Sequence, residues 1–206
     1  MKKVFLTAMF FAVTALTANV KAQGKGSVIV DGYYGYGSFY NAVFKALVSG
    51  DVLNSEFTGL GPLGVRGEFM ISDKVGFGLD IAYNSSAITY SETNSYFDEN
   101  LILIEETYDA TLKTAKLGIM PTFNFHFVNN ETFDAYFIFG IGYGNRTFSA
   151  ESDYAGYVSP EYSAPISVAS RIGFGMRYYF TQNIGLNFGM GLGQGGLLNG
   201  GISARF

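Results

Sequence analysis

The 206-residue chain has no cysteine, one histidine and four prolines, and charged residues make up only 15% of it. Without cysteine no disulfide can staple the fold, so stability has to come from elsewhere even in an exported chain. With His126 as the sole histidine, any histidine-based catalysis has to centre on that position. Basic residues are scarce too, 13 against 17 acids, which excludes nucleic acid as a partner. Long apolar runs are missing beyond the N-terminus. The longest uncharged stretch, 178–204, holds eight glycines besides Gln182, Asn183, Asn187, Gln194 and Asn199, too little apolar density for a membrane helix.

What is present is glycine and aromatic residues: 27 Gly, 20 Phe and 15 Tyr. Glycine opposes helices and aromatics favour strands. The first 22 residues stand apart, with Lys2 and Lys3, an apolar stretch from Val4 to Leu16, and a small residue at Ala22. This is the plan of a secretory signal, too short to span a bilayer, with cleavage expected before Gln23. Removing Lys2, Lys3 and Lys21 lowers the basic count from 13 to 10 against 17 acids, a formal net charge of −7 for residues 23–206. That length fits one domain.

Residues 23–206 alternate with period two, the mark of strands with two unlike faces. Leu63, Val65, Phe69 and Ile71 alternate with Gly64, Arg66, Glu68 and Met70; Val75, Phe77, Leu79, Ile81 and Tyr83 alternate with Gly76, Gly78, Asp80, Ala82 and Asn84. A turn at Ser72-Asp73-Lys74 joins the two runs. The pattern returns over 116–127 and 133–144 around Asn129-Asn130, and over 166–180 and 184–191 around Thr181-Gln182-Asn183. Noisier runs at 27–36 and 197–206 complete eight strands. The apolar face is too bulky for the inside of an eight-stranded barrel, whereas glycine and small polar residues fit there. Only a closed barrel lets strands cross lipid with every backbone group paired, and roughly ten residues per strand suit a tilted crossing. Aromatics near the strand ends read as interfacial girdles: Tyr34, Tyr36, Tyr83 and Tyr143 at one end, Phe125, Phe127, Phe133, Tyr178, Phe180 and Phe206 at the other. The expected fold is all-β, an eight-stranded antiparallel transmembrane β-barrel in up-and-down order. Its rival is a soluble lipocalin-like barrel with the aromatic face inside. Short turns alternate with long connections near 38–58, 85–111 and 145–165, which predicts that the long ones are extracellular.

On this rhythm, on turns such as Ile71-Ser72-Asp73-Lys74-Val75-Gly76, and on the ending Ile202-Ser203-Ala204-Arg205-Phe206, the chain resembles the small outer-membrane barrels of the OmpA, OmpX and opacity-protein type. The resemblance covers nearly all of 23–206. It implies residence in the bacterial outer membrane among its lipids, and Phe206 is similar to the family's C-terminal signal for the barrel assembly machinery. Nothing follows the barrel in this sequence, so no peptidoglycan-binding domain is expected.

Inward positions carry Asp31, Glu68, Asp80 and Asp134 beside Arg66, Lys116, Arg171, Arg177 and Arg205, with His126 expected to pair with Asp134. Charges taken out of water need partners, so a polar network that plugs the barrel is expected, in preference to a narrow small-solute channel. No cofactor or metal is expected. Gly191-Leu192-Gly193-Gln194-Gly195-Gly196 has dinucleotide-fingerprint spacing but no helix after it, and reads as a turn. A lipid A-modifying enzyme would need His126 as base toward a serine on the outer leaflet, yet His126 lies three residues from a short turn. The second long connection holds Glu92, Asp98, Glu99, Glu105, Glu106 and Asp109 with no basic residue from 85 to 111. Its spacing fits no calcium loop. Ile88–Tyr90 and Leu101–Ile104 flank the acidic tip and extend the neighbouring strands into an expected adhesion-like fin for a host or cell-surface partner. The expected role is therefore non-enzymatic, structural or surface-interacting.

Overall fold

A computed structural model describes residues 24–37, 56–97, 99–154, 157–163 and 168–206. The proposed signal segment, most of the first long connection, Asp98, and Ile166 and Ser167 at the start of the expected sixth strand lie outside the described residues.

Nine strands are described: β1 (Val28–Tyr36), β2 (Glu56–Ser72), β3 (Val75–Phe97), β4 (Leu103–Asn129), β5 (Phe133–Ser152), β6 (Glu161–Ser163), β7 (Val168–Tyr179), β8 (Ile184–Gly193) and β9 (Leu198–Arg205). Eight of them form an antiparallel ring. Successive strands pair in chain order, β5 pairs directly with β7, and β1 closes the circle by pairing with both β2 and β9. The ninth, β6, is a three-residue piece on the outer end of β5, bonded to Thr147–Ser149.

Much of 85–111 and 145–165 is strand: Ile88–Tyr90 continues β3 as expected, whereas β4 begins at Leu103, so that Leu101 and Ile102 lie in the connection, and the strand content of 145–165 departs from expectation. β3 and β4 stay in register from Val75↔Phe125 to Phe97↔Leu103. Beyond Tyr83 the two faces no longer differ sharply in polarity, so the period-two signal fades while pairing continues. Cross-strand polar pairs support the extension: Thr89 with Thr111 at 3.0 Å, Ser91 donating to Asp109 at 2.7 Å, and Thr93 with Thr107 at 3.0 Å.

Within the ring the alternation divides the faces as sequence predicts. Val65, Phe77, Ile119, Phe137, Ile172 and Phe188 are exposed, whereas Asp31, Arg66, Asp80, Asn124 and Arg177 are buried. The aromatic face is thus outside, which rules against a lipocalin-like arrangement. Outer rings pack on one another, with Phe77–Phe123 centroids 5.3 Å apart and Phe127–Phe137 5.1 Å apart. Ala135, on the outward-reading set, is buried beside a register shift between His126 and Val128. The extra residue there is Phe127 on β4, and β5 itself stays in continuous register with β7.

The short turns carry local side-chain bonds. Asn130 Oδ1 accepts from the backbone N–H groups of Thr132 and Phe133 at 3.0 and 2.9 Å, and Thr181 Oγ1 accepts from that of Ile184 at 2.9 Å. Between β8 and β9, Gly193, Gly195 and Gly196 have φ of 97°, 93° and 77°, conformations that favour glycine. The apparent nucleotide fingerprint is this turn.

Candidate functional site

The interior is built around Arg177 on β7. Its Nε donates to both carboxylate oxygens of Asp31 at 3.0 and 3.2 Å. Its Nη2 donates to Asp31 at 2.7 Å and Glu68 at 2.8 Å, and its Nη1 to Asp134 at 2.7 Å. The guanidinium lies 4.2 Å from the ring centroid of Tyr136. His126 bridges two of the same carboxylates, Nδ1 to Asp134 at 2.6 Å and Nε2 to Glu68 at 2.7 Å. Arg66 donates to Asp80 at 3.1 Å and to the Tyr136 hydroxyl at 2.9 Å, and stands 3.6 Å from Asp31. Four strands thus supply four carboxylates (β1, β2, β3 and β5), and β2, β4 and β7 supply the cationic or imidazole partners.

Seven of the ten residues expected inside are joined by these contacts: Asp31, Arg66, Glu68, Asp80, His126, Asp134 and Arg177. Arg171 is attached less directly. It donates to the Gln194 carbonyl, and the Gln194 side chain donates to Asp80 at 2.8 Å. Lys116 and Arg205 depart from the single-network expectation. Lys116 sits half-buried at the long-hairpin mouth and donates to the Val168 carbonyl at 3.0 Å. Arg205 sits at the short-turn mouth, bonds the carbonyls of Gln182 and Glu131 at 2.5 and 2.6 Å, and lies 4.0 Å over the Tyr179 ring. Both are near the ends of the ring, where backbone carbonyls accept from them.

Counting formal charges overlooks several participants. The Tyr33 hydroxyl donates to Asp80 at 2.7 Å, Ser203 donates to Asp31 at 2.5 Å, and Asn187 donates to Ser203 at 3.3 Å. The alternation already places all three inward; uncharged polar tips carry no other sequence signal. Inner glycines make the room. A side chain at Gly175 would run into the Tyr136 ring, and one at Gly64 into Tyr33.

Both nitrogens of His126 are held by carboxylates in a fully buried position, so neither faces a serine hydroxyl. A hydrolase arrangement requires that contact. Among the described residues no group of three His, Asp or Glu is placed to hold a metal ion.

The second feature is the hairpin of β3 and β4 above the ring. From Tyr83↔Leu117 to Phe97↔Leu103 it adds 14 residues per strand, about 45 Å at roughly 3.3 Å per residue. Glu92, Glu99, Glu105, Glu106 and Asp109 fall on it, while Asp98 lies outside the described residues. Its end exposes apolar side chains: Phe97 is 65% exposed, Leu101 82% and Ile102 60%. Leu101 holds φ of 61°, a left-handed conformation unusual for a branched side chain. Glu92 accepts the Tyr108 hydroxyl at 2.8 Å and so holds that phenol above its ordinary pKa.

An apolar belt around a closed ring, with a polar interior built on ion pairs and no unpaired strand edge in the ring, defines a membrane-spanning β-barrel. The chain belongs to the outer membrane protein β-barrel domain family, whose profile matches residues 5–199, and it resides in the bacterial outer membrane. Among solved structures it is similar to the N-terminal β-barrel domain of Pseudomonas aeruginosa OprF, at 16% identity over 89% of this chain and 100% of that one, with a TM-score of 0.43. It is also similar to Ail, the attachment invasion locus protein of Yersinia pestis. In the complex of Ail with the heparin analogue sucrose octasulfate the identity is 14% over 88% of this chain and 99% of that one, with a TM-score of 0.43. No curated protein sequence matches the chain.

Proposed function

We propose that this protein is a non-enzymatic barrel with a structural or surface-interaction role, closed to solutes, whose β3–β4 hairpin stands outside the cell and meets a host or cell-surface partner. The observation that carries the reading is the continuous pairing of that hairpin far past the ring, ending in exposed Phe97, Leu101 and Ile102 among acidic side chains. Exposed apolar side chains on a projecting element mark an interaction surface. The interior supports the same reading from the other side. Arg177, Tyr136, Asp31 and Asp134 fill the lumen with side chains bonded to one another, which opposes a channel. The bonding of His126 opposes a lipid A-modifying enzyme. Residues 1–22 are the proposed export signal.

Deleting Ser91 to Asn100 tests the reading. Cells carrying the deletion should lose adhesion to a host-cell layer, while the purified barrel keeps its heat-modifiable gel migration. Undiminished adhesion with the barrel intact refutes it.

A further inference from the structure

Above the ring, the inward-reading face of β3 and β4 continues onto the hairpin and becomes aromatic. Tyr90 and Glu92 extend the set of Asp80, Ala82 and Asn84, and Tyr108 lies directly opposite Glu92 in the β3–β4 register. β5 supplies two more rings. Its pairing with β4 ends at Ala110↔Ser152, and beyond that point Tyr154 meets Tyr108 with ring centroids 5.1 Å apart. Tyr157 stays close by, its N–H donating to the Tyr154 carbonyl at 3.1 Å. The segment is tied to the hairpin at Asp109, whose N–H donates to Asp153 Oδ1 at 2.7 Å and whose carbonyl accepts from the Asp153 N–H at 3.2 Å.

Four tyrosines thus gather around one carboxylate. Glu92 accepts the Tyr108 hydroxyl at 2.8 Å. Burial, Glu92 and Tyr157 together hold the Tyr90 phenol above its ordinary pKa, which places Tyr90 in the same group. Tyr154 and Tyr157 are 39% and 42% exposed, and Glu92 is exposed, so rings and carboxylate are open to a partner. Ala110, the register partner of both Tyr90 and Ser152, keeps the floor between them small. The charge around the group is of one sign. No Lys or Arg occurs over 85–111 or 147–163, and Glu106 shares the face two residues from Tyr108.

The face of an aromatic ring attracts cations. A guanidinium does so while lying flat on the ring, and its fork of N–H donors can meet a carboxylate with two bonds, which an ammonium cannot do. We propose that this face of the hairpin binds an arginine side chain of a basic protein segment, with the guanidinium against Tyr108, Tyr154 and Tyr157 and bonded to Glu92. The inference rests on the reading that the hairpin meets a partner outside the cell, and it names the chemistry of that partner.

Isothermal titration of the detergent-refolded full chain with a six-residue arginine peptide, a lysine peptide of equal length and an uncharged glycine–serine peptide tests the site. The expected result is saturable binding of the arginine peptide, at least five-fold tighter than the lysine peptide, and none of the uncharged one. Tyr154→Ser and Glu92→Gln should each weaken it five-fold or more, whereas Tyr154→Phe, which keeps a ring, should stay within two-fold. Glu151→Gln makes the same change in net charge on the opposite face of β5, where Glu151 pairs with Lys113, and should bind as the unaltered chain does. Heat-modifiable migration shows which variants are folded. Should Glu92→Gln fail to refold, Tyr154→Ser and Tyr154→Phe decide, since Tyr154 is exposed. The proposal is overturned by no saturable binding of the arginine peptide, by equal binding of the lysine peptide, by unchanged binding in Tyr154→Ser, or by an equal loss in Glu151→Gln. Lost adhesion on deleting Ser91 to Asn100, without peptide binding, overturns this inference and leaves the reading of the hairpin standing; peptide binding with undiminished adhesion does the reverse.

Discussion

Replacing Arg177 by methionine gives the most direct test of how the interior is held. The substitution keeps a long unbranched side chain but removes all five hydrogen bonds that Arg177 gives to Asp31, Glu68 and Asp134. Three buried carboxylates then remain with His126 and Arg66 as their nearest basic partners. Removing one partner of a buried ion pair costs about 3–5 kcal/mol, because the other is left charged and desolvated. Arg177 serves three such partners, so the upper part of that range is expected. A loss of about 4 kcal/mol lowers the folding equilibrium constant roughly a thousand-fold. The comparison is Lys113→Gln, which breaks the exposed pair with Glu151; surface pairs contribute about 0–1 kcal/mol. Urea titration in lipid vesicles, followed by circular dichroism and by heat-modifiable gel migration, measures both. The double variant Asp31→Asn with Arg177→Met should recover part of the loss, since it removes one stranded charge. If Arg177→Met shifts stability by no more than Lys113→Gln, the ion-pair cluster does not hold the interior and the reasoning fails.

Packing against the plug gives a second test. In Gly175→Ala the new methyl would lie 2.6 Å from the Tyr136 hydroxyl oxygen, displacing the ring that meets Arg66 and Arg177, at a cost of about 1–3 kcal/mol in the same titration. Gly32→Ala, outward with nothing within 4 Å of the added carbon, should change stability by about 0.5 kcal/mol or less. On the fin, Tyr108 should ionise above the ordinary tyrosine value of about 10, because Glu92 accepts its proton-bearing hydroxyl. A raised folded pKa means the contact stabilises the fin fully below the ordinary value, and the contribution disappears as pH rises through the folded pKa. Absorbance titration should show the late-ionising phenol in the unaltered chain and its return toward normal in Glu92→Gln. In planar bilayers the purified barrel should show at most small, rare openings, and a stable large conductance would contradict the plug.

The ring could be read from the sequence because lipid and a narrow lumen impose opposite demands on alternate residues. Val75, Phe77, Leu79 and Ile81 could not fill the inside, and Asp80 could not face acyl chains, so polarity alone assigned each position. The same logic fails where the constraint ends. Thr89, Ser91, Thr93, Thr107 and Asp109 pair as regularly as the membrane strands, yet water meets their faces and alternating polarity is not required. A run of Ser, Thr and Glu therefore reads as a loop while forming strand. β6 was hidden for a further reason, since a three-residue piece on an existing edge needs no pattern of its own.

The interior shows a related limit. Period two says which residues point inward but not at what height they meet, because strand tilt and stagger set the level at which side chains from distant strands converge. Asp31 and Arg177 are 146 residues apart in sequence yet bonded, while Lys116, on the same face of the same strand as His126, reaches the mouth instead. The ring thus sorts its inward charges by depth. In the middle Arg66 and Arg177 are matched to carboxylates, while buried Arg171 reaches the Gln194 carbonyl. Toward the long-hairpin mouth the acid cluster ends, and Lys116, which lies opposite Arg146 in the β4–β5 register, donates to a backbone carbonyl. That four acids from four strands are drawn together around Arg66, His126 and Arg177 is why this cluster is read as the scaffold that fixes the ring.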